Sequence, residues 1–181
     1  ASGGVDTNDG LSPSRPKKTI AAGYALLRHG EADQLLLKRG DAWDTPLGRL
    51  KKGGKSATAP MVFGAYGPGA LRPTLRTAAA AGIEAAPSTG QDSLSFVTIR
   101  WIEFQAGSVT DRSNGIKWTH SGGDLVVEDC KFSGYEIGPH FQGFPATTGW
   151  LDRVTNRRCA ILDCYPPSSI THSQGCYAER I

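Results

Sequence analysis

A repeat spaced by 28 to 29 residues constrains the fold more than any other feature of this chain. Val97-Thr98-Ile99-Arg100-Trp101-Ile102-Glu103-Phe104 aligns with Leu125-Val126-Val127-Glu128-Asp129-Cys130-Lys131-Phe132 at an offset of 28. Val154-Thr155-Asn156-Arg157-Arg158-Cys159-Ala160-Ile161 follows at a further 29. Four columns are mostly apolar or small: Val97/Leu125/Val154, Ile99/Val127/Asn156, Ile102/Cys130/Cys159 and Phe104/Phe132/Ile161. The columns between them are mostly polar, as in a half-buried strand whose side chains alternate between two faces. Between Ile99 and Ile102 the alternation slips by one, which predicts a bend or bulge joining two short strands. A unit of this size cannot bury its own apolar face, whereas stacked units can. Short strands, glycine turns and no helical period in these units predict a parallel β-helix.

Stacking also predicts ladders. Arg100, Glu128 and Arg157 fall in one outward column with alternating charge, and Glu103 falls over Lys131. Opposite charges on strands about 4.8 Å apart are cross-strand neighbours, so these residues read as structural ladders. Asn156 is the poorest fit to an inward column. A second motif runs through Ser113-Asn114-Gly115-Ile116, Phe141-Gln142-Gly143-Phe144 and Ser173-Gln174-Gly175-Cys176. Each copy is an amide side chain, a glycine free to take positive φ, and an inward residue.

In the first half, residues 33–41 and 59–67 read as strands ending in turns and form the first two rungs. Residues 44–58 read as a loop bulging from the stack, and residues 72–91 as a short helix or irregular excursion. Ile20, Tyr24 and Leu27 recur at i, i+4 and i+7, which predicts a short helix with one apolar face. Laid across the end of the stack, it would cover exposed strand edges and open core. The chain is thus expected to be one domain over residues 1–181: an N-terminal segment and capping helix over 1–32, and rungs over 33–181. No such cap follows the last motif, which predicts either a longer parent protein or a second subunit over that end.

A net charge of +3 with scattered basic residues does not match a nucleic-acid-binding surface. No apolar run approaches the roughly 20 residues of a membrane span. Cys130, Cys159, Cys164 and Cys176 lack the CxxC spacing of a zinc site. Cys130 and Cys159 share an inward column, which leaves a buried thiol ladder or a disulfide. Cys176 takes a core place shared with Ile116 and Phe144.

Several stretches resemble the pectate-lyase-like superfamily of right-handed parallel β-helix proteins. They are Asp6-Thr7-Asn8-Asp9-Gly10-Leu11-Ser12-Pro13 with Pro16 and Lys18-Thr19-Ile20, then Leu35-Leu36-Leu37-Lys38-Arg39-Gly40-Asp41, then Ser173-Gln174-Gly175-Cys176-Tyr177. The resemblance implies an extracellular or cell-envelope protein that binds or cleaves a polysaccharide. The superfamily holds polysaccharide lyases, glycoside hydrolases, tailspikes and plain binding modules, among which fold does not decide.

Lyase chemistry on an acidic sugar needs a base and a cation against the substrate carboxylate. Lys117, His140 and Arg153 are the catalytic candidates. His120, Trp118, Arg157, His172 and Tyr177 are the substrate-binding candidates, read as one basic, aromatic-edged face. Lys117 and Tyr177 are expected to share an outward position with Pro145. Trp101 and Trp118 are read in outward columns, where they and Trp150 could stack on sugar rings. Asp124, Asp129, Asp152 and Asp163 supply carboxylates for hydrolysis, but no pair falls in register. Calcium is the cofactor candidate, at residues 6–10, although an Asx-type turn explains the same residues. The alternatives are a non-catalytic structural or glycan-binding β-helix, and an assembly module that forms homo-oligomers through its uncapped C-terminal end.

Overall fold

The computed structural model describes residues 1–86, 93–107, 113–143, 149–164 and 174–179. It is a parallel β-helix of five coils, each contributing one strand to each of three five-stranded parallel sheets. The first sheet holds β1 (Gln34–Lys38), β4 (Met61–Tyr66), β7 (Val97–Arg100), β10 (Gly122–Glu128) and β13 (Leu151–Arg157). The second holds β2 (Ala42–Trp43), β5 (Thr74–Ala78), β8 (Glu103–Ala106), β11 (Lys131–Ser133) and β14 (Ala160–Leu162). The third holds β3 (Gly48–Leu50), β6 (Ile83–Ala85), β9 (Asn114–Trp118), β12 (Ile137–Gln142) and β15 (Tyr177–Glu179).

The register of the first two sheets follows the repeat. Val97, Leu125 and Val154 pair in turn, as do Ile99, Val127 and Asn156. Phe104, Phe132 and Ile161 do the same in the second sheet. The slip in alternation is a two-residue corner between the first and second sheets. Its leading residue takes positive φ, 59° at Trp101 and 53° at both Asp129 and Arg158. The residue after it, Ile102, Cys130 or Cys159, then turns inward. A left-handed residue reverses the chain within one position, so the strand on either side keeps its own apolar face inside.

The core is a set of such columns. Met61, Val97 and Leu125 are buried end to end. Phe104 and Phe132 stack with centroids 5.2 Å apart and planes 4° from parallel. Each such ring removed from water contributes about 1.5–3 kcal/mol. Cys130 and Cys159 stack as anticipated, and all four cysteines are free thiols. The last column is looser: Val154 is half-buried, and Asn156 is exposed and donates to Cys176 Sγ at 3.6 Å.

Three sequence expectations are corrected here. Residues 44–58 contain β3, the third strand of the first coil. Residues 72–86 contain β5 and β6; the remainder of that stretch lies outside the described residues. The glycine motif of the third sheet also runs in a different register. Asn114 pairs with Ile137 and Ile116 with Pro139, and Ile137 bridges Gln174. The column is therefore Gly82–Gly115–Gly138–Gly175, and Gly143 lies outside it. None of these four glycines has positive φ. Close approach excludes a side chain at three of them: a Cβ at Gly82 would stand 2.5 Å from the Gly115 carbonyl oxygen, one at Gly138 2.3 Å from that of Gly175, and one at Gly115 2.4 Å from Phe132 Cδ1. Cys176, correspondingly, is exposed rather than in a core place.

The N-terminal end is capped as the apolar spacing predicts. Helix α1 (Ile20–Ala25) starts at Thr19, whose hydroxyl accepts from the Ala22 amide at 3.2 Å. Ile20 and Leu27 are buried in the core, and Tyr24 stacks on Phe63 at 6.4 Å. Gly23 lets the helix lie against Leu35, whose Cδ1 is 2.7 Å from where a Cβ would be. Among the described residues no helix is long and apolar enough to cross a membrane.

Candidate functional site

The outer face of the third sheet carries one continuous polar column. Arg49 on β3 pairs with Glu84 on β6, Glu84 with Lys117 on β9, Lys117 with His140 on β12, and His140 with Tyr177 on β15. Strand alternation places them there. Ile116 and Trp118 point into the core on either side of Lys117, as do Pro139 and Phe141 beside His140. Five neighbouring strands about 4.8 Å apart make a row about 19 Å long.

The row is tied together electrostatically. Glu84 receives Arg49 at 3.6 Å and Lys117 at 3.8 Å. His120, in the turn after β9, joins this end; burial lowers its pKa, with Glu84 opposing and Arg49 adding to the shift. At the other end, Asn114 Nδ2 donates to His140 Nδ1 at 3.0 Å. That donor sets the tautomer: His140 carries its proton on Nε2, which donates to Gln142 Oε1 at 3.2 Å. Gln142 Nε2 donates to Glu179 at 2.7 Å, and the Tyr177 hydroxyl donates to the same carboxylate. The rings of His140 and Tyr177 meet edge to face at 4.8 Å. Burial holds the His140 pKa below the ordinary imidazole value.

Of the residues singled out from sequence, Lys117, His140 and Tyr177 come together in this column and His120 lies beside it. Lys117 and Tyr177 do share an outward position; the residue between them is His140, and Pro145 lies outside the described residues. His172 also lies outside the described residues. Arg153 and Arg157 are on the first sheet, so the single basic face read from sequence is two faces. Arg153 grips Asp124 through two bonds of 2.9 Å and reaches Asp152 at 4.0 Å. Arg157 pairs with Glu128 at 2.7 Å. Trp118 is wholly buried in the core, because strand β9 turns it inward beside Phe141, and it offers no stacking surface. Trp101 is half-buried and Trp150 exposed.

Arg49, Glu84, Asn114, Gln142 and Glu179 belong to the site but were not among the sequence candidates. Arg49 sits in residues read as a loop, and the others become neighbours only in the third sheet's true register. Glu84 and Glu179 lie three coils apart, about 14 Å by strand spacing. That exceeds the ~9.5 Å upper separation of carboxylates in inverting glycosidases.

At residues 6–10, Asp6 accepts from the Lys18 and Thr19 amides at 2.8 Å each, and Asp9 accepts from the Leu11 amide at 3.0 Å. Asp9 makes an Asx-type turn and Asp6 ties the segment to the start of α1, and no group of three His, Cys, Asp or Glu side chains poised for a metal occurs among the described residues. A cavity of about 540 Å³ lies under the N-terminal segment, between Leu11, Leu26, Leu36 and Trp43, and shares no residue with the third-sheet column.

Neither a protein-family model nor a curated protein matches the sequence. Among solved structures, the chain is similar to the GH136 lacto-N-biosidase from Eubacterium ramulus, both as the native protein and as its selenomethionine derivative. The selenomethionine derivative aligns with a TM-score of 0.67 at 18% identity, and the native protein with 0.61 at 16%. Each alignment covers 88% of this chain and 33% of the other, so this chain spans about a third of that protein's length. At this identity the likeness shows the fold: a parallel β-helix capped by one short helix.

Proposed function

We propose that this protein is a carbohydrate-active β-helix of the pectate-lyase-like kind, acting outside the cell, which grips an acidic polysaccharide along the outer face of its third sheet. The observation that carries the reading is the Arg49–Glu84–Lys117–His140–Tyr177 column. Successive coils present one polar or aromatic side chain each, at a spacing on the scale of a pyranose ring. Cationic groups for substrate carboxylates lie at Arg49 and Lys117, and the Tyr177 ring offers an apolar face. The structural neighbour, a lacto-N-biosidase, is itself carbohydrate-active, which adds support.

If the face performs β-elimination, Lys117 is placed to neutralise a uronate. His140 supplies a neutral imidazole whose lone pair must first be released by Asn114. The same tight partnering supports a second reading, non-catalytic glycan binding, because both His140 nitrogens and the Tyr177 hydroxyl are engaged. Arg153 between Asp124 and Asp152 marks the place to look for hydrolysis instead.

The test is incubation with a panel of uronic-acid polysaccharides, with and without calcium. Ultraviolet absorbance follows the unsaturated product, reducing ends follow hydrolysis, and affinity electrophoresis follows binding. Lys117→Ala should weaken binding about tenfold or more, since a charge-assisted contact contributes roughly 1.5–3 kcal/mol. Binding without new product favours the non-catalytic reading. Failure to bind any member of the panel overturns the proposal.

A further inference from the structure

The corner between the first and second sheets holds three arginines that lack carboxylate partners among the described residues. In the outward column of the first sheet, Glu128 lies between Arg100 and Arg157. Glu128 pairs with Arg157 at 2.7 Å and Arg158 at 3.1 Å, and Asp129 takes two bonds of 2.8 Å from Arg158. Arg100 takes no part in this ladder. Its guanidinium lies over the Trp101 ring, 4.7 Å from the centroid, and its Nε is buried with no hydrogen-bond partner. Arg39 reaches the same ring from the first coil, at 5.4 Å. Arg72 arrives from the loop before β5 and donates to the Asp129 carbonyl at 2.7 Å.

Among the described residues, none of these three arginines has a carboxylate within ion-pair distance. Every one of them is half-buried. The floor below Arg100 is bare because the second coil carries Gly64 there, 3.5 Å from Arg100 Cγ at its virtual Cβ. Five guanidiniums therefore meet two carboxylates, Glu128 and Asp129, leaving an excess of three positive charges. Half-burying a cation away from any carboxylate is unfavourable, and positive charges gathered in this way oppose one another.

We propose that this corner is a binding site for a tetrahedral oxyanion, sulfate or phosphate in its chemistry, with Arg39, Arg72 and Arg100 as donors and Trp101 as its floor. A planar carboxylate is satisfied by one bidentate arginine, as Asp124 is by Arg153. Guanidiniums that come from three different coils suit an anion whose oxygens point in several directions. Such a group occurs as a sulfate ester on a glycan or as a free inorganic ion. The site does not depend on the third-sheet column.

The experiment is calorimetric titration, with tryptophan fluorescence in parallel, at ionic strength held constant with sodium chloride. The probes are sodium sulfate, sodium phosphate, dextran sulfate and unmodified dextran. Saturable binding of sulfate, phosphate or dextran sulfate is expected, and none of dextran. Arg100→Gln and Arg39→Gln should each weaken it about tenfold or more, and Arg100→Lys, which keeps the charge but loses the fork, by less. Tighter binding of dextran sulfate than of the inorganic ions assigns the site to an ester; the reverse assigns it to a free ion. Circular dichroism confirms that each variant is folded. Absence of saturable binding by all three anions, or binding unchanged in both glutamine variants, overturns the proposal.

Discussion

Replacing Gly82 with alanine tests the register of the third sheet. The new Cβ would stand 2.5 Å from the Gly115 carbonyl oxygen and 2.7 Å from Phe104 Cδ1. Comfortable separations between carbon atoms are about 3.5–4.0 Å, so coils 2 and 3 must part by roughly 1 Å or Phe104 must leave its stack. Parting strains the bond from the Gly82 amide to the Asn114 carbonyl, 3.1 Å. Overpacking costs about 1–3 kcal/mol and a weakened backbone bond about 0.5–1.5 kcal/mol, so the sum is about 3 kcal/mol. For a domain of this size that lowers Tm by about 6–12 °C. Thermal and urea unfolding should be followed by both far-ultraviolet circular dichroism and tryptophan fluorescence, because stacked coils can unfold in parts. Gly30 is the control: its φ is +79° and nothing lies within 4 Å of its virtual Cβ, so alanine there meets only left-handed strain of about 1–2 kcal/mol. If Gly82→Ala costs no more than Gly30→Ala, the glycine column is not set by close approach and the reasoning fails.

Phe132→Ala removes a fully buried ring stacked on Phe104, and should cost about 3–5 kcal/mol in chemical denaturation; a loss below about 1 kcal/mol would show that the aromatic column is not a core element. Burial lowers the pKa of His140, so the folded state prefers the neutral ring. Its contribution is full above the unfolded value near 6.5 and declines as pH falls from there towards the folded pKa. His140→Gln should flatten the fall in stability on acidification below pH 6.5, and an unchanged slope would refute the assignment. Thiol labelling in the native protein should modify exposed Cys176 and spare Cys130, which is wholly buried and whose thiol pKa burial raises; rapid labelling of Cys130 would contradict the stacked core.

The first two sheets are legible in the sequence because one device joins them. A left-handed residue followed by an inward one occupies the same two positions in coils 3, 4 and 5, so the offset holds at 28 and 29 across both strands. The third sheet is not legible in the same way. The connection before it changes length from coil 3 onward, and the Gly82–Gly115–Gly138–Gly175 column steps by 33, 23 and 37 residues. A fixed offset of 28 therefore selects Gly143 in place of Gly138. The motif points to turn conformation at the glycine, whereas at Gly82 and Gly138 the requirement comes from the carbonyl of the next coil. The helix cap is legible because Ile20, Tyr24 and Leu27 leave only one apolar face to bury.

The candidate site divides along the same line. The sequence reads Lys117 and Tyr177 as outward and His140 as near a turn; the structure puts His140 in β12, between buried Pro139 and Phe141 and beside Lys117. Alternation does not say which of three faces an outward residue belongs to, so the sequence does not separate Arg153 and Arg157, on the first sheet, from Lys117 and Tyr177 on the third. Charge alternation in the Arg100–Glu128–Arg157 column predicted a closed ladder. Glu128 closes it only on the side of Arg157 and Arg158, whose forks occupy its oxygens. Arg100 is left to Trp101, an unpaired cation in a column whose pattern promised it a partner. That departure from a structural ladder, invisible in the residue types, is what singles out this corner from the other ion pairs of the β-helix.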